Sequence, residues 1–295
     1  MTDKLTEQRL AESMDLDRLP IEAAIKIMND QDARAVAAVA EQREQVARAV
    51  EIVCAALQKN GRLIYVGAGT SGRLGVLDAA ECPPTFGTEA QMVQGIIAGG
   101  ESAMFRSAEG AEDREENGAL AVDERNVSER DVVLGIAASG TTPFVRGALN
   151  RARERHAATI FLCCVEITAG EPTVDLVIRP LTGPEVLTGS TRLKAGTATK
   201  LILNQITTLS MVRLGKAYEN LMVDLRATNA KLRDRSLRIV KILTGLNSAD
   251  ATKLLESAAG KVKVAVVMHR RKVDAASAET MLNDAKGYLR AALES

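Results

Sequence analysis

The feature that most constrains this 295-residue sequence is a change of period after Gly61. Beyond it, short apolar runs occupy residues 63–66, 93–98, 132–137, 159–165 and, more briefly, 174–178. Helical stretches over about residues 72–80, 115–125 and 143–155 separate most of them. Short continuous apolar runs suit strands buried on both faces. Strands alternating with helices imply right-handed crossovers, hence a parallel sheet with helices on both sides. The expected class is α/β, a three-layer parallel sheet, with helices before and after it.

Before the sheet, residues 1–19 are polar and read as irregular. Pro20 suits the start of a short helix over residues 21–29. Asp30 reads as the cap of a longer helix over about residues 31–59. Its apolar positions Val36, Val39, Val46, Val50, Val53 and Leu57 recur at helical spacing, and Asn60-Gly61 stops it. After the sheet, helices are expected over residues 194–214 and about 221–243. Residues 244–248 read as a linker, followed by three or four short amphipathic segments to residue 295. Residues 261–268 alternate in a way that also fits a strand, and are read as helix. The resulting division is an N-terminal helical segment (1–60), a central sheet domain (61–245) and a small helical C-terminal domain (246–295). There is no internal repeat.

Two loops carry the chemistry. The first run opens into Gly67-Ala68-Gly69-Thr70-Ser71-Gly72-Arg73, a G-x-G-x-x-G pattern between strand and helix. Alone, this pattern is weak evidence for a dinucleotide site. Such a site also needs an acidic residue closing the second strand, to hold the ribose. Here the second run ends Ala98-Gly99-Gly100-Glu101, too late for that. Thr70 and Ser71 instead place hydroxyls beside the amides of a helix N-terminus, a ready phosphate site. The third run ends in a loop of the same chemistry, Ala138-Ser139-Gly140-Thr141-Thr142-Pro143. In a parallel sheet both loops lie at the carboxyl ends of strands. Helix capping by Ser and Thr is the competing reading of each loop. Two such loops favour a phosphomonoester, held by hydroxyls and amides without a metal.

Composition excludes several other classes. Lys plus Arg and Asp plus Glu number 38 each, so the net charge is zero, with neither the basic excess nor the stripe of a nucleic-acid binder. Arg233, Arg235, Arg238 and Lys241 read as a solvated helix face. The cysteines, Cys54, Cys82, Cys163 and Cys164, form no C-x-x-C pair and lie far from His156 and His269, so no zinc site is expected. Buried reduced thiols and a polar N-terminus without a signal-peptide pattern suit the cytoplasm. No apolar run approaches a membrane span.

Glu81 follows the first helix in Glu81-Cys82-Pro83-Pro84-Thr85. Two prolines cannot continue a helix, so they would stiffen the turn and fix the carboxylate beside small apolar groups. Such surroundings suit a general acid, although a surface glutamate at a helix end is the commoner case. Glu112, in Glu109-Gly110-Ala111-Glu112-Asp113, reads locally as one carboxylate of a solvated charge run. The segment Gly183-Pro184-Glu185 through Ser190, Arg192 and Lys194 is dense in polar groups before a long helix. There Arg192 can grip a carboxylate or phosphate.

Taken together, these motifs resemble the N-acetylmuramic acid 6-phosphate etherases of the sugar-isomerase (SIS) fold. The matching stretches are residues 63–79, Glu81 to Thr85, Glu109 to Asp113, Gly135-Ile136-Ala137-Ala138-Ser139-Gly140, and residues 183–200. The resemblance covers nearly the whole chain. It implies a carbon–oxygen lyase of cell-wall (peptidoglycan) amino-sugar recycling, a homodimer with sites near the subunit interface, and no cofactor. By the same resemblance Glu81 matches the proton donor and Glu112 the second carboxylate. Gly69, Thr70, Ser71, Ser139, Gly140, Thr141 and Thr142 match the sugar-phosphate site, with Glu185, Ser190, Arg192 and Lys194 nearby. One departure stands out: the resemblance implies Arg-Thr-Pro after Ser139-Gly140, and this chain has Thr141-Thr142-Pro143. Losing that cation would weaken phosphate binding or alter substrate choice. The alternatives are an amino-sugar-phosphate isomerase and a non-catalytic regulator resembling the glucokinase regulatory proteins. The latter carry two such domains, and this chain has room for one.

Overall fold

The computed structural model describes residues 5–227 and 229–294. The polar reading of Met1 to Lys4 lies outside them. The chain divides into two compact units, Met1–Ala80 with Gln91–Thr207, and Glu81–Ala90 with Thr208–Ser295.

The first unit is built on five parallel strands: β1 (Leu63–Gly67), β2 (Val93–Ile97), β3 (Val132–Ile136), β4 (Ala158–Leu162) and β5 (Leu176–Ile178), in the order β2-β1-β3-β4-β5. Every residue of β1 and β3 is buried, as expected for the centre of a sheet covered on both faces. Ile64, Val66 and Val133 join a core with α4 (Glu115–Glu124) and α5 (Pro143–Glu154). Tyr65 faces the other way, toward α3 (Gly69–Phe86) and α6 (Lys194–Arg213). There a Cβ on Gly75 would stand 2.8 Å from the Cβ of Tyr65, so glycine lets α3 lie directly on β1. The sheet and its layers are those expected from the sequence.

Several boundaries differ from expectation. One helix, α1, runs over Ile21–Glu41, and Asp30 pairs with Lys26 at 2.7 Å instead of capping. The break comes at Gln42, before α2 (Arg43–Gln58). No proline or glycine marks that break. Gln42 uses it to accept the Arg179 N–H, just past β5, at 2.8 Å. Both helices belong with the sheet unit. Residues 208–245 belong with the second unit, so the 244–248 linker falls inside that unit. Pro83 and Pro84 lie within α3, which runs six residues beyond Ala80. Lacking N–H groups, they leave the Ala79 and Ala80 carbonyls without helical donors.

In the second unit, residues 221–227 are not helical. Leu221, Val223 and Leu225 alternate into the core, and Asn229 caps α7 (Ala230–Thr244) by accepting the Leu232 N–H at 2.9 Å. Helices α8 (Ser248–Ser257), α9 (Val262–Arg271), α10 (Ala275–Asp284) and α11 (Leu289–Glu294) complete it. The strand-like alternation at 261–268 has a simple cause. Six consecutive residues of α9, Val262 to Val267, are buried, so this is the central helix and is covered all round. Its Lys263 donates to Asp224 at 2.7 Å and to the Gly287 carbonyl at 2.8 Å. Among the described residues no helix is long and apolar enough to cross a membrane.

At the amino ends of β1 and β3, the buried Asp131 accepts from Arg62 Nε (3.0 Å), Nη2 (2.7 Å) and backbone N–H (2.9 Å). Burial pushes the Asp131 carboxyl up, but Arg62 and the Ser128 N–H outweigh it and hold it below the usual aspartate range. A depressed carboxyl stabilises the fold above its unfolded pKa, and that contribution fades as pH falls through the folded value. Asp131→Asn is therefore expected to lower stability at pH 7 by about 2 kcal/mol. In thermal melts from pH 7 to pH 2, the gap to wild type should close as acid protonates Asp131.

Candidate functional site

β1 ends at Gly67 and α3 starts two residues later, a turn so tight that neither Gly67 nor Gly72 has room for a side chain. A Cβ on Gly67 would stand 2.6 Å from the Gly72 nitrogen, and one on Gly72 2.7 Å from both the Gly67 carbonyl oxygen and Ile97. The first helical bond runs from the Gly72 N–H to the Ala68 carbonyl, at 3.2 Å. The N–H groups of Gly69, Thr70 and Ser71 therefore lack acceptors within the helix. The half-buried hydroxyls of Thr70 and Ser71 belong to the same turn.

The second loop repeats this on the next strand. Gly140 turns the chain at φ +79, its N–H bonded to the Ala137 carbonyl at 2.8 Å. A Cβ there would stand 2.8 Å from Val165. Pro143 opens α5 behind Thr142, and the first helical bond joins the Arg146 N–H to the Thr142 carbonyl at 3.1 Å. The Phe144 and Val145 N–H groups are thus left over. The Thr142 hydroxyl does not cap its own helix. Ser139 and Thr141 are half-buried beside it. Because Gly67 and Ile136 are register partners, the two loops sit side by side. β2 lies on one side of this pair of strands and β4 on the other, so the loops flank the point where the strand order reverses, the usual ligand position in open α/β sheets.

A third helix N-terminus joins them. A Cβ on Gly196 of α6 would lie 3.5 Å from the Thr70 methyl, and Ala195 packs with Ala138 and Cys164. The fully buried Glu185 caps α6, accepting the Lys194 and Ala195 N–H groups at 3.0 Å each. Burial pushes its carboxyl up, and these two bonds oppose the shift. Lys194 is buried as well, its Nζ donating to Gln31 of α1 at 2.6 Å. Burial pulls this ammonium below the usual lysine range, with the charge of Glu185 opposing. Of the ligand candidates in this segment, Arg192 is exposed and Ser190 half-buried. Glu185 and Lys194 are engaged inside the protein.

Glu112 stands exposed on a single 3₁₀ turn, Ala111–Asp113, ahead of α4. Neighbouring contacts fix that turn. Ala111 packs on the core, and Arg73 Nε holds the approaching chain at the Met104 carbonyl, at 3.0 Å. α4 and α5 touch backbone to backbone: a Cβ on Gly118 would lie 1.9 Å from the Phe144 carbonyl oxygen, and one on Gly147 2.0 Å from that of Glu115. Arg146 grips Glu115 through Nε (3.0 Å) and Nη2 (2.6 Å). The Glu112 turn and the second loop are thereby tied together. Glu81 is on α3, in the part that belongs to the second unit, and is exposed. The enclosing apolar groups expected from Cys82-Pro83-Pro84 do not surround it.

Sequence reasoning placed Arg73 in the first loop but not its tie to Met104, and it missed Glu115, Arg146 and Gln31, whose partners are distant in the chain. The two mid-helix glycines were a readable signal, since glycine inside a helix usually marks close approach.

Relatives named N-acetylmuramic acid 6-phosphate etherase in Crocosphaera subtropica and Rippkaea orientalis are each 52% identical over 290 residues, covering 98% of this chain and 95% of theirs. One from Gloeothece citriformis matches equally well over 291 residues, covering 99% and 95%. The chain belongs to the N-acetylmuramic acid 6-phosphate etherase family. A model of the glucokinase regulatory protein N-terminal SIS domain matches residues 45–153 of this etherase-family chain, the stretch that carries both loops and Glu112. A solved Bacteroides fragilis protein, assigned to phosphosugar isomerases and capsule formation, shares the fold. Its TM-score is 0.51 at 18% identity, over 68% of this chain and 95% of that one.

Gly140→Ala tests the second loop, where both the positive φ and the 2.8 Å approach to Val165 exclude a side chain. It is expected to weaken phosphate-ion binding about tenfold, read by calorimetry, while circular dichroism stays that of wild type.

Proposed function

We propose that this chain cleaves the D-lactyl ether of N-acetylmuramic acid 6-phosphate, yielding N-acetylglucosamine 6-phosphate and D-lactate. The observation that carries this reading is the convergence of three helix N-termini on one place, at the β1–β3 switch point. The family's named reaction supplies the ligand such a place fits. The phosphate would rest on the N–H groups of Gly69, Thr70 and Ser71, with the hydroxyls of Thr70, Ser71, Ser139, Thr141 and Thr142 around it. With Thr141 in place of an arginine, neutral donors dominate this cradle. Arg192, exposed ahead of α6, is available for the lactyl carboxylate or the phosphate. Glu185 and Lys194 act from behind, shaping the first turn of α6.

The chemistry follows from the substrate. Ring opening exposes an aldehyde at C1, which makes the C2 proton acidic because the resulting enolate delocalises onto the carbonyl. Glu112 removes that proton. The electron pair forms the C2–C3 double bond as the C3–O bond breaks, and Glu81 protonates the departing lactate oxygen. Water then adds at C3, with a proton returning to C2. The substrate's own aldehyde is the electron sink, so two positioned carboxyl groups suffice. We place the enzyme in the cytoplasm as a homodimer serving cell-wall amino-sugar recycling.

D-lactate release from N-acetylmuramic acid 6-phosphate by the purified protein tests the reading directly. Sugar-phosphate binding without lactate would point instead to a regulator. Glu81→Gln is expected to lose about 10²–10⁴-fold in kcat while still binding the product sugar phosphate. Undiminished turnover would remove Glu81 from the acid role. Glu112→Gln is expected to abolish solvent-deuterium uptake at C2, followed by NMR; normal exchange would show that another group is the base.

A further inference from the structure

The reaction makes no use of Asp78, a buried carboxylate 6% exposed, two turns along α3 from the first loop. Its Oδ2 accepts the Tyr65 hydroxyl of β1 at 2.8 Å. Its Oδ1 accepts the Asn204 amide at 2.7 Å and faces the Thr207 hydroxyl at 3.2 Å, both on α6. Burial pushes this carboxyl up, and the Tyr65, Asn204 and Thr207 bonds oppose it, with the Lys200 charge adding to them.

The spacing of the contacts gives the direction of the two helices. Thr70 meets the position of Gly196, and Asp78 meets Asn204. Each step is eight residues toward the C-terminus. Over this stretch α3 and α6 therefore run parallel and side by side, their positive ends together. Each end carries roughly half a positive charge, so such a pair repels. Asp78 is the hydrogen-bonded tie across that pair, about two turns behind the helix-end amides.

We propose that Asp78 is a positioning residue of the phosphate site: by tying α3 to α6, it sets the spacing of the two helix N-termini that face the ligand. This rests on the sugar-phosphate reading above. Tyr65 and Asn204 separate the roles, because one ties α3 to the sheet and the other ties it to α6. Loss of the α6 tie relaxes the cradle, whereas loss of the β1 tie only loosens the core.

The test compares Asp78→Asn, Asn204→Ala and Tyr65→Phe, with N-acetylglucosamine 6-phosphate as the binding probe and D-lactate release as the activity. Asp78→Asn and Asn204→Ala are expected to raise Kd and KM together by about tenfold, with kcat within about threefold of wild type. Tyr65→Phe should lower the thermal midpoint and leave Kd unchanged. If both α6-side variants bind the probe as wild type does while melting earlier, Asp78 is merely structural and the proposal fails. Should Asp78→Asn not fold, Asn204→Ala decides alone. A wild type that binds the probe but releases no lactate sinks the etherase reading, and the Kd comparison still judges Asp78. A wild type that binds no sugar phosphate sinks both.

Discussion

Backbone N–H groups without acceptors in their own helices, gathered at the carboxyl ends of β1 and β3, are the constraint around which this fold is organised. Helix-end donors without acceptors in their own helix must be met from elsewhere, and three helix ends of the same polarity repel one another. The arrangement persists because several neutral or anionic groups hold it. Glu185 satisfies two amides of α6, Asp78 ties α6 to α3, and glycines at 67, 72 and 75 press α3 onto β1. The helix end that remains open most clearly is at Gly69 to Ser71, where the proposed phosphate would rest.

The two ends of the sheet are treated in opposite ways. At the amino ends of β1 and β3, Arg62 and Asp131 are fully paired, and Arg62 also donates to the Arg125 and Asn126 carbonyls at 3.0 Å each. That end is closed. At the carboxyl ends, hydroxyls and amides face outward between tight glycine turns. A rigid closed end holds the donors of the open end in fixed directions, which is the meaning of a preorganised site.

How much of this was legible depends on the distance between interacting residues. The strands and both loops could be read because burial period and turn chemistry are local. Glu185 and Lys194 looked like ligand groups because their hydroxyl-rich context is polar. Their actual partners are Ala195, ten residues from Glu185, and Gln31, 163 residues from Lys194. No local rule links such pairs. The passage of α3 through Pro83 and Pro84 also defeated a sound rule. Proline removes a donor, but it does so near the helix end, where only the Ala79 and Ala80 carbonyls lose partners, and the Gly87 N–H still bonds the Pro83 carbonyl at 2.9 Å. The break at Gln42 had no local marker, since its reason is the Arg179 N–H.

A cradle of amides and hydroxyls also suits the proposed reaction better than a cluster of cations would. The phosphate takes no part in bond making or breaking, so contacts to it stabilise substrate, transition state and product alike. Such uniform binding lowers KM without raising kcat, and beyond that it slows product release. Fixed dipoles give direction: they orient the sugar so that C2 and C3 meet the carboxyl groups. Their strength as neutral donors stays moderate. Thr141, where the family resemblance implies arginine, fits that division. On the proposed reaction, such a cradle would give up some grip on a group that never reacts and keep the geometry that aims the groups that do.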